Sequence, residues 1–363
     1  MAKIVDGEIS VLFAFDVGFE VSLEKLTSLF NAAAVEPLSH KKQTPMSLNY
    51  SILPRTIDLG ETEPLITRKG HVQATAFHFG AISVAYKWSL SSEESGLMLD
   101  DLPDLSQKLQ SRNLEEDATA RVKSLIERIN AAIVRPELSS LVEDYYLFVI
   151  KKFDKPIKAD DLLSESKSTI GQILRFETLP LNSQQHEDAI SHRYSYYEDD
   201  LAVIDWNAAL IYDRDYKDTA RVLELLNVEL LEARYVDSQL DRRIGDYEAF
   251  VLTRSEKLIP LRTPFKKAIQ ELAEMRIESL LLTERVNNAL KLVGDLYLAR
   301  VHASASKRFY LNEWETAISR KLDIIDDLYD LLVDRARTSQ SQTLELIVVF
   351  LILTEIVMAI LRH

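Results

Sequence analysis

Residues 344–361 read LELIVVFLILTEIVMAIL, eighteen positions of which Glu345, Thr354 and Glu355 are the polar ones. At 1.5 Å rise per residue such a helix is about 27 Å long, just enough for a hydrocarbon core of about 30 Å. The alternative, a helix buried in a soluble core, is ordinarily amphipathic, whereas this run is apolar on every face. The expectation is one transmembrane helix over 343–361, meeting the bilayer through residues 344–361. Glu345 falls at the boundary, but Glu355 lies inside the span, where an ionised carboxylate costs roughly 2.5 kcal/mol or more. It is expected to face another helix, to carry a proton or to lie near the far interface. Lys321, Arg335 and Arg337 precede the span and Arg362 follows it. That bias puts the N-terminal bulk on the cytoplasmic side. The span ends two residues before the last position, so it reads as a tail anchor inserted after synthesis.

Working back from the anchor, two series of positions step by three and four. The first runs through Leu272, Met275, Ser279, Leu282, Val286, Ala289, Val293 and Leu296, the second through Ile318, Leu322, Ile325, Tyr329 and Leu332. The stretch VHASASKRFY (301–310) between them is less periodic. An antiparallel helical hairpin, a coiled-coil-like stalk within 213–340, is the preferred reading, with an ordinary helical bundle as the alternative. Before it, residues 217–252 carry Val222, Leu225, Leu226, Glu229 and Tyr235 at helical spacing, and Leu261–Pro264 marks a turn.

Residues 1–212 mix the two periods and read as a soluble α+β domain, or two subdomains. Ile9–Phe15 and Tyr50–Leu53 are strand candidates, separated by an amphipathic stretch, Ser22–Ala33, that Ser22 is placed to cap. HVQATAFHFGAISVAYKWSL (71–90) reads as a hairpin turning near Gly80, with Phe77, Phe79, Val84, Tyr86 and Trp88 packing. A polar loop over Ser91–Asp101 leads to a helix over Leu114–Val134, with Val122, Leu125, Ile126 and Ile129 on one face and Pro136 ending it. A strand at Asp144–Phe153, a helix at Asp160–Phe176 and a single strand at Leu201–Tyr212 complete the domain.

Composition narrows the chemistry. The 363 residues are 47% hydrophobic, ample for a core, and 43 basic against 57 acidic side chains leave a net charge of −14. That sign repels polyphosphate, so nucleic acid is not an expected partner. No cysteine is present, which removes disulfides and thiolate chemistry. The apolar run Val11–Phe15 is short and flanked by Asp6, Glu8 and Asp16, so neither a secretory signal nor an Arg-rich transit peptide is expected. None of the seven histidines makes HExxH, and His186 and His192 do not stack on one helix face. SESK (Ser164–Lys167) and SASK (Ser304–Lys307) match an acylating-serine pattern but lack its companion motifs. The glycines form no phosphate cradle. Asp213 and Asp215 suit a divalent cation or, preferably, the cap of the next helix; Tyr194, Tyr196 and Tyr197 beside Glu198, Asp199 and Asp200 suit a recognition surface or, preferably, a packing cluster. No catalytic, cofactor-binding or metal residue is therefore expected, and no cofactor.

The last hundred residues resemble the YagE-like family of uncharacterised proteins, which includes the mitochondrial protein "required for meiotic nuclear division" and fungal sporulation relatives. The resemblance rests on Asp295, Tyr297, Leu298, Ala299, Arg300, Arg308, Trp314, Ile318, Lys321, Leu322, Tyr329 and the pair Leu344-Glu345. WNAALIYD (206–213) and LELLNVELLEARYVDSQLD (223–241) also resemble it. It implies a soluble domain on a helical stalk with a C-terminal membrane segment, and in mitochondrial members homo-oligomers at the inner membrane that support organellar translation. It implies no catalytic residues, and without a transit peptide this chain looks like a prokaryotic relative. The function expected is a membrane-tethered scaffold or adaptor that self-associates. The alternative is an enzyme or small-ligand sensor with its site in the N-terminal α+β domain.

Overall fold

The computed structural model describes residues 2–30, 33–34, 53–91, 96–254, 265–289 and 296–361. The chain forms two compact units, Met1–Tyr235 with Arg285–Asn312, and Val236–Glu284 with Glu313–His363.

The first unit is built on a nine-stranded sheet whose strands are β1 (Ile4–Asp16), β3 (Ala33–Ala34), β4 (Arg55–Thr62), β5 (Gly70–Ala76), β6 (Ala81–Ser91), β8 (Val142–Phe153), β9 (Arg193–Tyr194), β10 (Leu201–Ile204) and β11 (Ala208–Tyr212). Their order is β3-β4-β5-β6-β1-β8-β11-β10-β9. Every pairing is antiparallel except β8 with β11. β1 lies at the centre, with Ile9 opposite Trp88 on one side and Leu12 opposite Tyr145 on the other. The expected hairpin turns at Phe77–Gly80, where Gly80 has φ 101° and a Cβ would fall 1.8 Å from the Gly18 carbonyl. No other residue fits there.

Helices cover both faces of the sheet. Leu102, Leu105 and Leu109 of α2 (Leu102–Gln110), Val122, Leu125 and Ile129 of α3 (Leu114–Ile129), and Ile170, Ile173 and Leu174 of α4 (Ala159–Arg175) share one core with Phe13, Tyr86, Phe148 and Leu210. On the other face Leu12, Leu147, Val149 and Ile211 are equally buried. There the start of α6 (Lys217–Arg254) and α8 (Leu296–Arg308) pack: Asn227 donates to the Glu143 carbonyl at 3.1 Å, and the Phe309 ring lies 5.1 Å from Tyr145. Two covered faces explain why Tyr145–Ile150 reads YYLFVI without alternation. This unit also contains α1 (Leu23–Phe30), α5 (Ser183–Ala189), 3-10 turns at Leu99–Asp101 and Asn130–Ala132, and a two-stranded pairing of β2 (Gly18–Val21) with β7 (Ile133–Pro136).

Several boundaries differ from the sequence reading. Leu201–Tyr212 is not one strand but the hairpin β10–β11, folded back at Asp205–Asn207. Its arms are both wholly buried, and its turn contains no Gly or Pro to announce it. The helix from Leu114 stops at Ile129, five residues short of Val134, and Ile133–Pro136 turns into β7, so Pro136 sits in a strand pairing with Gly18. Of the strand expected at Tyr50–Leu53, residues 50–52 lie outside the described residues, and β4 starts at Arg55. VHASASKRFY, read as a link, is helical as far as Arg308, and Val301, Ser304 and Ala305 are buried.

The second unit contains the end of α6, α7 (Phe265–Ala289) and most of α9 (Leu311–Leu361). Tyr247 of α6 donates to Glu271 of α7 at 2.8 Å, Lys321 of α9 lies 2.6 and 2.7 Å from Asp237 and Asp241 of α6, and Arg276 of α7 lies 3.0 Å from Asp326 of α9. Where the seams predict two facing helices, α6 joins as a third. Leu240, Leu272, Ile318, Ile325 and Leu332 are among its buried positions, while Leu322 and Tyr329 are half-buried. Val293, the side chains of Leu282, Val286, Ala289 and Leu296, the turn expected at Leu261–Pro264, and Arg362 lie outside the described residues. Among the described residues α9 is the one helix long and apolar enough to cross a membrane, with a window of mean hydropathy 2.7 that nothing covers.

Candidate functional site

Among the described residues β8 and β11 form the sheet's one parallel pair, and both run out at the same edge, at Phe153 and Tyr212. Beyond their carboxyl ends lies a cavity of about 380 Å³. Its floor is the ring pair Phe153 and Tyr212, 5.1 Å apart and buried. Around it stand Lys151, Lys152, Lys155 and Arg214 and the carboxylates Asp154, Asp199, Asp200, Asp213 and Asp215. The position is a natural one, because parallel strands that end together leave a crevice outside their carboxyl ends.

Asp200 is the most constrained of these groups, being 3% exposed. Its Oδ1 accepts the N–H groups of Tyr196 and Tyr197 at 2.6 and 3.1 Å, which folds the loop before β10. Its Oδ2 is buried and has no hydrogen-bond partner. Tyr197 stands edge-on to Tyr196 with ring centres 4.7 Å apart and is itself more than half exposed at the cavity wall. Asp213 Oδ1 accepts the Asp215 N–H at 2.8 Å, an Asx turn leading into α6, so the expected cap takes the form of a turn two residues earlier. Asp154 Oδ1 accepts the N–H of Lys155 at 3.0 Å and of Lys3 at 3.3 Å. Lys151 lies 3.6 Å from Asp6 and 5.4 Å over the Tyr216 ring. Lys152, Lys155 and Arg214 are exposed. Two groups that are separate in sequence, Tyr197, Asp199 and Asp200 of the tyrosine-acid cluster and the pair Asp213 and Asp215, thus line one cavity. The third wall, KKFDK at 151–155, was missed; its signal was a charge run closing an apolar strand.

The other sequence candidates do not converge. Ser164 donates to the Asp161 carbonyl and Lys167 pairs with Glu187, so the SESK hydroxyl and amine are not joined. Ser304 of SASK is buried and bonded to His192 Nδ1 at 2.9 Å, where burial, then Arg308 and Lys307, pushes the imidazole below its usual pKa. His186 Nε2 instead meets the Leu181 carbonyl at 2.6 Å. Among the described residues no three His, Asp or Glu side chains are arranged to hold a metal ion.

Two further charge clusters escaped the sequence reading. At the β10–β11 turn Arg308 donates to Asp205 Oδ1 from Nε at 2.8 Å and to Asp188 Oδ2 from Nη2 at 2.8 Å, while Arg175 lies 2.5 Å from both carboxylates. At the end of β1, burial raises Asp16 to about 7, against the Gly18 N–H and with the help of Glu137. Glu232 of α6 is wholly buried with neither carboxylate oxygen hydrogen-bonded, and burial and then Asp16 push its pKa well up. Glu143 nearby is likewise raised to about 7 by burial, although Arg234 pairs with it.

The chain is similar to the uncharacterized protein MJ0711 of Methanocaldococcus jannaschii, 25% identical over 273 residues that span 74% of this chain and 80% of that protein. No solved structure matches it. The family model described as "Uncharacterized protein MJ0711, N-terminal domain" matches residues 6–219, which is more than half of the 363 residues and all but one short stretch of the nine-stranded sheet's sequence, so the chain belongs to that family.

Proposed function

We propose that this protein is a membrane-tethered scaffold: residues 344–361 cross a bilayer, the sheet domain is held on the cytoplasmic side, and copies associate through their helices. The observation that carries the reading is α9, which leaves a packed helical unit at Leu332 and continues unbroken into eighteen apolar-rich positions that nothing covers. So large an uncovered apolar surface is stable in lipid and aggregates in water. Glu355 within that stretch favours association, since a second copy supplies a partner for a carboxylate that lipid does not solvate. The YagE-like resemblance, dense in the last hundred residues, supports the stalk and anchor, and its thinner part overlaps the family match at 6–219. Fractionation tests the reading. The full chain should stay in the carbonate-washed membrane pellet and a chain ending at Arg337 should move to the supernatant; a full chain extracted by carbonate sinks the tether.

A second reading is favoured by the cavity beyond β8 and β11. It makes the sheet domain a sensor of a small polar ligand, on the strength of a buried carboxylate oxygen left without a donor in the wall of a mixed-charge crevice.

A further inference from the structure

The cavity beyond β8 and β11 has three properties that together specify a ligand class. The first is the buried Asp200. Its Oδ1 is used by two backbone N–H groups while its Oδ2 is not used at all. A buried carboxylate oxygen without a donor costs free energy, so the group that completes it is a hydrogen-bond donor, best a charged one. The second is the exposed basic rim, Lys152, Lys155 and Arg214, which offers an anion a planar guanidinium and two ammonium groups. The third is balance. Four basic side chains stand against five acidic ones, so the cavity repels a polyanion and a polycation alike and matches a ligand that carries one charge of each sign. About 380 Å³ is enough for a small molecule and not for a folded partner, and the Phe153 and Tyr212 rings with Tyr197 give it an apolar contact.

We propose that this cavity binds a free amino acid, its ammonium group donating to Asp200 and its carboxylate paired with Arg214 and the Lys152 and Lys155 ammonium groups. The proposal rests on the small-ligand reading of the sheet domain. It is independent of the membrane anchor.

Calorimetric titration of the detergent-solubilised full chain tests it, with the common free amino acids as one set of probes and adenosine monophosphate as another. The expected result is saturable binding of at least one amino acid, weakened about tenfold or more by Asp200→Asn and by Arg214→Ala. Asp200→Asn keeps the acceptor for the Tyr196 and Tyr197 N–H groups, and Arg214 is exposed, so both variants should melt with the parent chain. Binding of the nucleotide without any amino acid overturns the ligand class and leaves the sensor reading standing. Binding of neither at millimolar concentration, by a chain with an unchanged melting transition, overturns both. Amino-acid binding that neither variant weakens overturns the location.

Discussion

The β10–β11 turn and the far end of β1 both bury charge within the sheet domain, and they do so by opposite means. At the turn each carboxylate faces a guanidinium: Asp205 is fully enclosed between Arg175 and Arg308, and Asp188 closes the ring from α5. At the end of β1 the neighbours are like-charged, Asp16 and Glu232, and burial answers by favouring their protonated forms. The first arrangement is a tie made of permanent ions drawn from four elements. The second is a store of protons. Burial drives the upward shifts at Asp16 and Glu232, and like-charged neighbours add to it, whereas at Asp188 the hydrogen bond from Arg308 outweighs burial.

The largest expected effect breaks the tie. Arg308→Met leaves Asp205 and Asp188 with Arg175 alone and should lower stability by about 3–5 kcal/mol, measured by chemical unfolding of the solubilised chain with Trp206 fluorescence as reporter. Adding Asp205→Asn to Arg308→Met should recover part of that loss, as coupled neighbours do. A loss below about 1 kcal/mol would show that the cluster ties nothing.

The next effect tests the proton store. Asp16 in the folded chain holds its proton to about pH 7, whereas an unfolded aspartate releases it near pH 4. Its contribution to stability is thus complete below about pH 4 and is lost as pH rises through about 7. Glu232 and Glu143 are shifted the same way and act in the same direction. Glu232→Gln should flatten this decline and raise stability at pH 8 by on the order of 2 kcal/mol, with little change at pH 4. An unfolding series in which the parent chain gains stability between pH 4 and 7 would contradict the assignment. Asp188, lowered by Arg308 first and then Arg175, contributes in the opposite direction, but its side chain is half exposed and the contribution is small.

The smallest effect sharpens the comparison from outside the sheet domain. Lys321 also faces two carboxylates, Asp237 and Asp241, but Asp241 is largely exposed. Lys321→Met should cost no more than about 1 kcal/mol and less in high salt. A cost equal to that of Arg308→Met would mean that pairing geometry, not enclosure, sets the scale.

Periodicity made some of this legible. β1, β8 and the hairpin at Gly80 follow from apolar runs bounded by turn residues, and α4 lies within one residue of its expected ends. The β10–β11 turn was hidden because Asp205-Trp206-Asn207 interrupts two runs of identical character. The helical character of 301–308 was hidden for another reason: Val301, Ser304, Ala305 and Arg308 form a stripe in which two of four members are polar, buried against His192 and Asp205 rather than against apolar neighbours. For the cavity, two of its three walls were visible as acid and tyrosine clusters. Their convergence was not, since it depends on β11 lying parallel beside β8, a pairing that no local pattern encodes.

Arg308 reaches Asp205 and Asp188 over sequence separations of 103 and 120, and it lies well beyond residue 219, where the family match ends. During synthesis the β10–β11 turn therefore waits for a residue that leaves the ribosome long after the sheet strands themselves. Until α8 arrives, Asp205 has one cation where the finished domain gives it two, and the face of β10 that α8 packs against is open. A fragment cut to the matched boundary would inherit that unfinished state permanently. Its natural border lies instead near Asn312, with the helices of residues 236–284 carried as an excursion between the two parts of a single folding unit.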